Sequence, residues 1–348
     1  MRIIYIFLLF TTISCVKKQH KKDVELKVEL INQVSPTTKS LRGISVLDSE
    51  TAFMSGAGGT ILKTADGGVN WMQLNAPDND SLDYRSIYAF SKNTAIIVSA
   101  GFPARVYKTS NSGKSWNLVY ENNDSAAFLN SIAFKNEKEG IIMGDQLKGR
   151  HVILRTGNGG ETWKRIDSID VPKPLRVENA FAASGSCIAI SKTGRFFIGF
   201  GGENTRIFSS VNGYKWKAKT TPMVHGTASR GIYSIAASGK GQIMAVGGDY
   251  TYPDSSYFPI ISLTNGKSWV NTKAKASGYR SVIDYSQKNN VWLTGGTNGI
   301  DLSQDHGKNW SKISNYNINT LQFAPNSSRA FAGNSKGEIV IIEVSIKN

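Results

Sequence analysis

The chain is 348 residues long, 40% hydrophobic and 19% charged, with 34 glycines and a formal net charge of +15. That apolar content is ample for one large globular domain and excludes a disordered chain. Beyond one short N-terminal run, the positive charge is not gathered into a tail of the nucleic-acid-binding kind. It reads instead as a basic surface suited to acidic partners, with no nucleic acid among them.

Residues 1–14 read as an export signal: Arg2, an apolar run from Ile3 to Phe10, then small and polar residues up to Cys15. Counted to Ile13, the apolar stretch is about 11 residues, too short to span a ~30 Å hydrocarbon core. Thr12-Ile13-Ser14-Cys15 resembles a bacterial lipobox. That resemblance implies a lipidated Cys15 and a place in the bacterial cell envelope, expected at the outer membrane and facing the periplasm or the surface. An ordinary cleaved signal with an incidental cysteine is the alternative. Residues 15–23, with Lys17, Lys18, Lys21 and Lys22, read as a basic tether, lying against anionic lipid heads or serving as a plain linker. With Cys15 acylated, Cys187 is left alone in the apolar run Cys187-Ile188-Ala189-Ile190, so a buried structural thiol is expected and a disulfide framework is excluded. Four scattered histidines, and no zinc, dinucleotide or Walker pattern, suggest no metal site and no cofactor.

From residue 24 to 348 the sequence is organised by one recurring pattern, S/T-x-D-x-G-x-x-W. Its cleanest copies run Thr64, Asp66, Gly68, Trp71 and Ser303, Asp305, Gly307, Trp310. Looser copies end at Trp116 (with Asn111), Trp163 (with Asn158), Trp216 and Trp269, so six of the seven tryptophans share the frame. Their spacing, between 41 and 53 residues, is the period of a four-stranded propeller blade. Between them lie short alternating or apolar runs separated by Gly, Asn, Asp and Ser clusters, with almost no helical periodicity. Units fall at about 42–75, 85–120, 130–167, 186–220, 230–272 and 280–314. A seventh, 319–346, supplies only three strands and no box. The missing strand is available upstream, in 24–34, and borrowing it would remove the exposed sheet edges. The expectation is therefore an all-β, seven-bladed propeller closed by an N-terminal strand, with six blades and a cap as the alternative.

In each box, Asp66, Asn111, Asn158 or Asp305 caps the turn, glycine takes a positive φ, and tryptophan packs between blades. At Trp216 and Trp269 the Asp position holds Val211 and Thr264, so Asn212 and Asn265, one residue later, are expected to cap instead. This is a folding device. The boxes resemble the Asp-box (BNR) repeats of sialidases and sortilin-type propellers. The fuller blade pattern in Arg42–Trp71, with Gly58-Gly59-Thr60-Ile61-Leu62-Lys63-Thr64, is similar to the photosystem II assembly/stability factor family and its non-photosynthetic bacterial relatives. The resemblance implies a propeller that acts in protein-complex assembly and binds through an arginine-rich face.

Aligning the inner strands places Arg42, Arg85, Asn130, Ser186, Arg230, Arg280 and Asn319 at one position, around one mouth of the channel. The boxes fall on the opposite face. Clustered guanidiniums favour a carboxylate or phosphate, and His225, Asp249, Tyr250, Tyr252, Tyr257 and Tyr279 are delivered to the same face. The candidate ligand-binding set is Arg42, Arg85, Arg230, Arg280, His225, Asp249 and Tyr250. The bland alternative is that each arginine pairs with a neighbouring blade's carboxylate and locks the ring. The leading expectation is a monomeric, lipid-anchored propeller that captures a protein segment or an acidic ligand, as an assembly module. The competing expectation is a sialidase-like glycoside hydrolase on anionic glycans, with Glu178, Asp249 and Tyr279 as its catalytic groups. No R-I-P motif accompanies it, and two carboxyls at a defined separation would be required. An oxidoreductase has no cofactor fingerprint to support it.

Overall fold

In a computed structural model, residues 25–77 and 81–347 are described; the signal, Cys15 and the whole of the tether lie outside them. Seven antiparallel sheets form a ring of blades, each with an innermost strand on the central channel. Blade I comprises Leu41–Val46, Ala52–Gly56, Ile61–Thr64 and Met72–Gln73. Blades II, III and VI repeat that order, with inner strands Asp83–Ala89, Leu129–Phe134 and Val282–Ser286. Blade VII is built from Thr320–Phe323, Arg329–Gly333 and Ile339–Ile346, and Leu26–Gln33 supplies its outer strand. The closing register runs from Leu26 opposite Ile346 to Gln33 opposite Ile339. The seven-bladed expectation and its closure by the N-terminal strand therefore stand.

The core is divided in the same way. Its seven apolar clusters each join two adjacent blades, as Trp71, Leu41 and Met54 join Phe331 and Ile341 across the closing interface. Trp71 stands edge-on to Phe331 at 6.2 Å, and Trp269 to Phe197 of the preceding blade at 6.3 Å. Outside blade V, inner strands have no sheet neighbour on their channel side, and between most blades side chains bridge the gap from one inner strand to the next. The Ser45 hydroxyl accepts from Ala89 N–H (2.9 Å), Ser86 from Ile132 (3.1 Å), Ser234 from Ile283 (3.0 Å), Asp284 from Phe323 (2.8 Å) and Gln322 from Val46 (2.9 Å). Five blade junctions are thus stitched by a polar group of one inner strand on the next strand's backbone, which leaves those N–H donors satisfied.

The boxes fold as the pattern implies. Asp66 accepts from Asn70 N–H at 2.9 Å while Thr64 Oγ1 accepts from Gly68 N–H at 3.0 Å, and Asp305 and Ser303 repeat this with Asn309 and Gly307. In blade IV, Asn212 caps Tyr214 and Lys215, as expected for a box shifted by one residue. Blade V differs from the expectation: Thr264 itself accepts from Ser268 N–H at 2.9 Å, and the Asn265 amide donates across to Thr193. A threonine hydroxyl reaches the same backbone N–H as an aspartate oxygen, so the frame needed no shift there.

Blades IV and V depart from regularity together. The inner strand of blade IV is only Ile188–Ile190, and two short strands, Glu178–Asn179 and Gly201–Gly202, are added to the inner edge of blade V. Gly201 pairs with Gly231, and the approach leaves no room for a side chain: a Cβ on Gly231 would lie 2.2 Å from the Gly201 Cα. This addition carries the chain onto the ring axis.

Candidate binding face and the sealed channel

Each inner strand starts on one face of the ring and the turn between second and third strands returns to it. Arg42, Arg85 and Arg230 therefore do share a face with the insert 249–258. What the sequence did not disclose is that the chain itself fills the mouth they surround. The run 180–186 crosses the axis. Its Ala183 carbonyl accepts from Arg42 Nη1 (3.0 Å, blade I), Ser184 from Thr320 (3.4 Å, blade VII), Gly185 from Ser131 (blade III) and Ser186 from Ile235 N–H (3.0 Å, blade V). Phe181 stacks on Tyr233 at 3.8 Å with rings 7° from parallel, and Tyr279 meets the same ring edge-on at 4.8 Å. Only small side chains, Ala182 to Ser186, occupy the axis. Beyond the plug, an approximately 320 Å³ cavity is lined by the inner strands of all seven blades and floored by Ser184, Gly185 and Ser186. Inner strands end, and boxes sit, at the opposite face, so this cavity opens there.

The arginines do not form a uniform ring. Arg85 Nε lies 2.6 Å from Asp83, and its guanidinium rests over Phe128. Arg230 Nε lies 3.0 Å from Asp249. Arg280 is fully buried, bound to Asp301 at 2.7 Å and to Asn298 at 2.6 Å, so it offers nothing to a ligand. In all three the carboxylate belongs to the same blade, not to a neighbouring one. Arg42 is different: it has no ion-pair partner among the described residues. Burial disfavours its charge and the positive charge of Arg85 nearby disfavours it further, while Asp83 and Tyr279 favour it without making up the loss. Two guanidiniums therefore repel each other at one edge of the plug. Tyr250, 56% exposed, is on this face, as are Phe102 and Tyr252, while His225 is exposed and turns its Nδ1 to the Met223 carbonyl.

The residues of the hydrolase expectation have separate structural partners. Glu178 is completely buried, with Arg206 on both oxygens and His151 Nε2 at 3.0 Å. Burial pulls its acid upward, but Arg206 and His151 outweigh that and hold it below the usual carboxylate range. Arg206 also donates to the Lys173 carbonyl, so Glu178 clamps the 170–178 connection onto blades III and IV. Asp249 accepts from Thr251 N–H (3.0 Å), Thr251 Oγ1 (2.6 Å) and Arg230, and these bonds outweigh burial to keep it ionised. Tyr279 is 4% exposed, with burial pushing its hydroxyl well above the ordinary range. Glu178 and Asp249 share no partner, and each has a complete set of its own. Cys187 is buried, and burial pushes its thiol up to about 12, which suits a structural residue. Among the described residues no three His, Cys, Asp or Glu side chains gather as metal ligands.

Fold and site together define a seven-bladed Asp-box propeller whose arginine-bearing mouth is stoppered by its own chain. The sequence model described as "Photosynthesis system II assembly factor YCF48" matches residues 24–340, and the chain belongs to that family. The photosystem II assembly lipoprotein Ycf48 of Nostoc sp. is 26% identical over 286 residues, covering 80% of this chain and 74% of that protein. The vacuolar protein sorting/targeting protein 10 of Aspergillus fumigatus is 25% identical over 305 residues, 83% of this chain but only 19% of that one. Among solved structures, YCF48 bound to D1 peptide aligns with a TM-score of 0.62 at 17% identity, covering 92% of this chain and 97% of the other. YCF48 from Cyanidioschyzon merolae aligns at 0.64 and 16%, covering 90% and 98%. At such identities the structures speak to the fold alone.

Proposed function

We propose that this protein is a lipid-anchored propeller of the bacterial envelope that captures an extended segment of another protein on its arginine-bearing face, as an assembly module. The observation that carries the reading is the Arg42–Arg85 pair. Arg42 has no ion-pair partner among the described residues, and the Asp83 carboxylate, already bonded to Arg85, does not offset burial and the Arg85 charge, so a carboxylate from a ligand would relieve the pair. Phe102, Tyr250 and Tyr252 stand exposed on the same face and add the aromatic contact area typical of interface anchors. Family membership supports a role in assembly, and a relative has been solved with a peptide of D1. The anchor rests on Cys15 and on the lipoprotein names of the cyanobacterial relatives.

The test is affinity capture from the native envelope with the unaltered chain and with Arg42→Ala/Arg85→Ala. Proteins enriched by the former are expected to be lost from the latter, while the urea midpoint moves little. Retention of the same partners by the double variant sinks the reading. Release of the protein from membranes by Cys15→Ser tests the anchor separately.

A further inference from the structure

The box face carries the chain's unneutralised charge. The turn between first and second strands lies at the innermost edge of this face, and blades II to VI each place an exposed lysine there: Lys92, Lys138, Lys192, Lys240 and Lys288. None of the five is ion-paired among the described residues; Lys240 donates only to the neutral Asn290 amide. The boxes add Lys114, Lys215, Lys267 and Lys308, all exposed. The field is felt locally: after burial, Lys240 and Lys308 are what disfavour a proton on His306. The exposed carboxylates of this face are fewer, Asp48, Glu50 and Asp66 on blade I and Glu137 and Glu161 on blade III, the last of them paired with Lys108.

Between these cations the boxes present apolar side chains to solvent. Val69 is 67% exposed, Leu263 64% and Val211 54%, and Tyr214, with Arg155 over its ring, is 48% exposed. None of these is needed for the box itself, whose bonds are made by other positions. Cations interleaved with solvent-facing apolar and tyrosine side chains, spread over one whole face rather than a groove, are the composition of a surface that lies on a lipid interface.

The direction of the N-terminus agrees. Leu26 pairs with Ile346, the last residue of the third strand of blade VII, and Lys347 N–H donates to the Glu25 carbonyl at 2.8 Å. Third strands run toward the box face, so the closing strand begins there. Glu25, the first described residue, therefore lies at the box face.

We propose that the Asp-box face is a membrane-docking surface, which sets its lysine arc against anionic lipid headgroups and holds the arginine face away from the bilayer. The inference takes from the proposed anchor only the nearness of a bilayer. The test uses the full chain reconstituted with vesicles, carrying Val211→Cys on the box face or Tyr252→Cys on the arginine face, labelled with a fluorophore; Cys187 is buried and does not compete, and a matched pair that also carries Cys15→Ser controls for labelling of an unacylated Cys15. With a quencher on the lipid headgroups and phosphatidylglycerol in the vesicles, the label at 211 is expected to be quenched and the label at 252 to be spared. The contrast is expected to vanish on phosphatidylcholine alone, and with Lys192, Lys215, Lys240 and Lys288 all changed to glutamate. Equal quenching at both positions, stronger quenching at 252, or a contrast that persists on neutral lipid overturns the proposal, the last pointing to a partner other than headgroups. The mass of the N-terminal peptide reports in the same sample whether Cys15 is acylated. An unacylated chain that still shows the contrast defeats the anchor and leaves the docking face intact.

Discussion

The two faces of the ring use charge in opposite ways. On the arginine face most guanidiniums are spent inside the molecule: Arg85 on Asp83, Arg206 on Glu178, Arg230 on Asp249, Arg280 on Asp301. The mouth is stoppered and little of the charge is free. On the box face Lys92, Lys138, Lys192, Lys240 and Lys288 have no ion-pair partner among the described residues and surround an open cavity. A planar fork suits a buried, bidentate carboxylate, whereas an ammonium on a flexible stem stays hydrated. The residue type alone thus separates charges that build the protein from charges that remain to meet something else. Arg42, with no ion-pair partner among the described residues, is the exception on which the proposed binding edge rests.

Several changes would break or sharpen that contrast. The largest effect is expected from Arg280→Ala, which strands the buried Asp301 carboxylate. Loss of one partner of a buried pair costs about 3–5 kcal/mol, read as a lower urea midpoint. If the change is nearly neutral, the arginine face is not held together by its ion pairs. Next is Asp284, at the cavity on the other side of the plug, whose acid is pushed up to about 6 by burial. The folded state then holds a proton that the unfolded state has released. Stability is therefore lost as pH rises from about 4 to about 6, by at most about 2–3 kcal/mol. Asp284→Asn keeps an acceptor for Phe323 N–H and should flatten the stability profile across that window, raising stability at pH 7. Asp305→Ala removes a box cap and is expected to cost about 1 kcal/mol, as an N-cap does. The smallest effect on folding belongs to the lysine arc: exposed Lys192→Glu or Lys240→Glu should move stability by no more than about 0.5 kcal/mol. A larger drop would mean that the lysines are structural and the two faces are not so different.

The fold was legible because it repeats. A tryptophan frame recurring through six blades announces both the period and the turn, and the run VELKVELINQV, without a partner in its own neighbourhood, pointed to the blade that lacked a strand. The site was legible only in part. Arg42, Arg85 and Arg230 could be placed on one face by register alone. Two carboxylate partners follow from strand position once the register is known, Asp83 two residues before Arg85 and Asp249 opposite Arg230, whereas Asp301 reaches Arg280 from 21 residues away. The plug escaped for a related reason. Its contacts reach blades I, III, V and VII from one stretch, so no local pattern records them. The one available signal was the unbroken series of small residues from Ala182 to Ser186, directly after an aromatic. Glu178 looked like a lone acid on an extended connection, and its partners His151 and Arg206 lie 27 and 28 residues away on different blades.

The closing strand has a consequence for how the protein is made. Leu26–Gln33 is synthesised before the six complete blades and its partner Ile339–Ile346 after them. Until then six blades can stack, but the first strand has nothing to pair with and the seventh blade is incomplete. The nascent molecule is an open arc with one bare edge at each end, the condition in which sheets find wrong partners. A chaperone that holds the first strand, or a membrane that holds the segment before it, would serve the same purpose: keeping the clasp empty until the other half arrives.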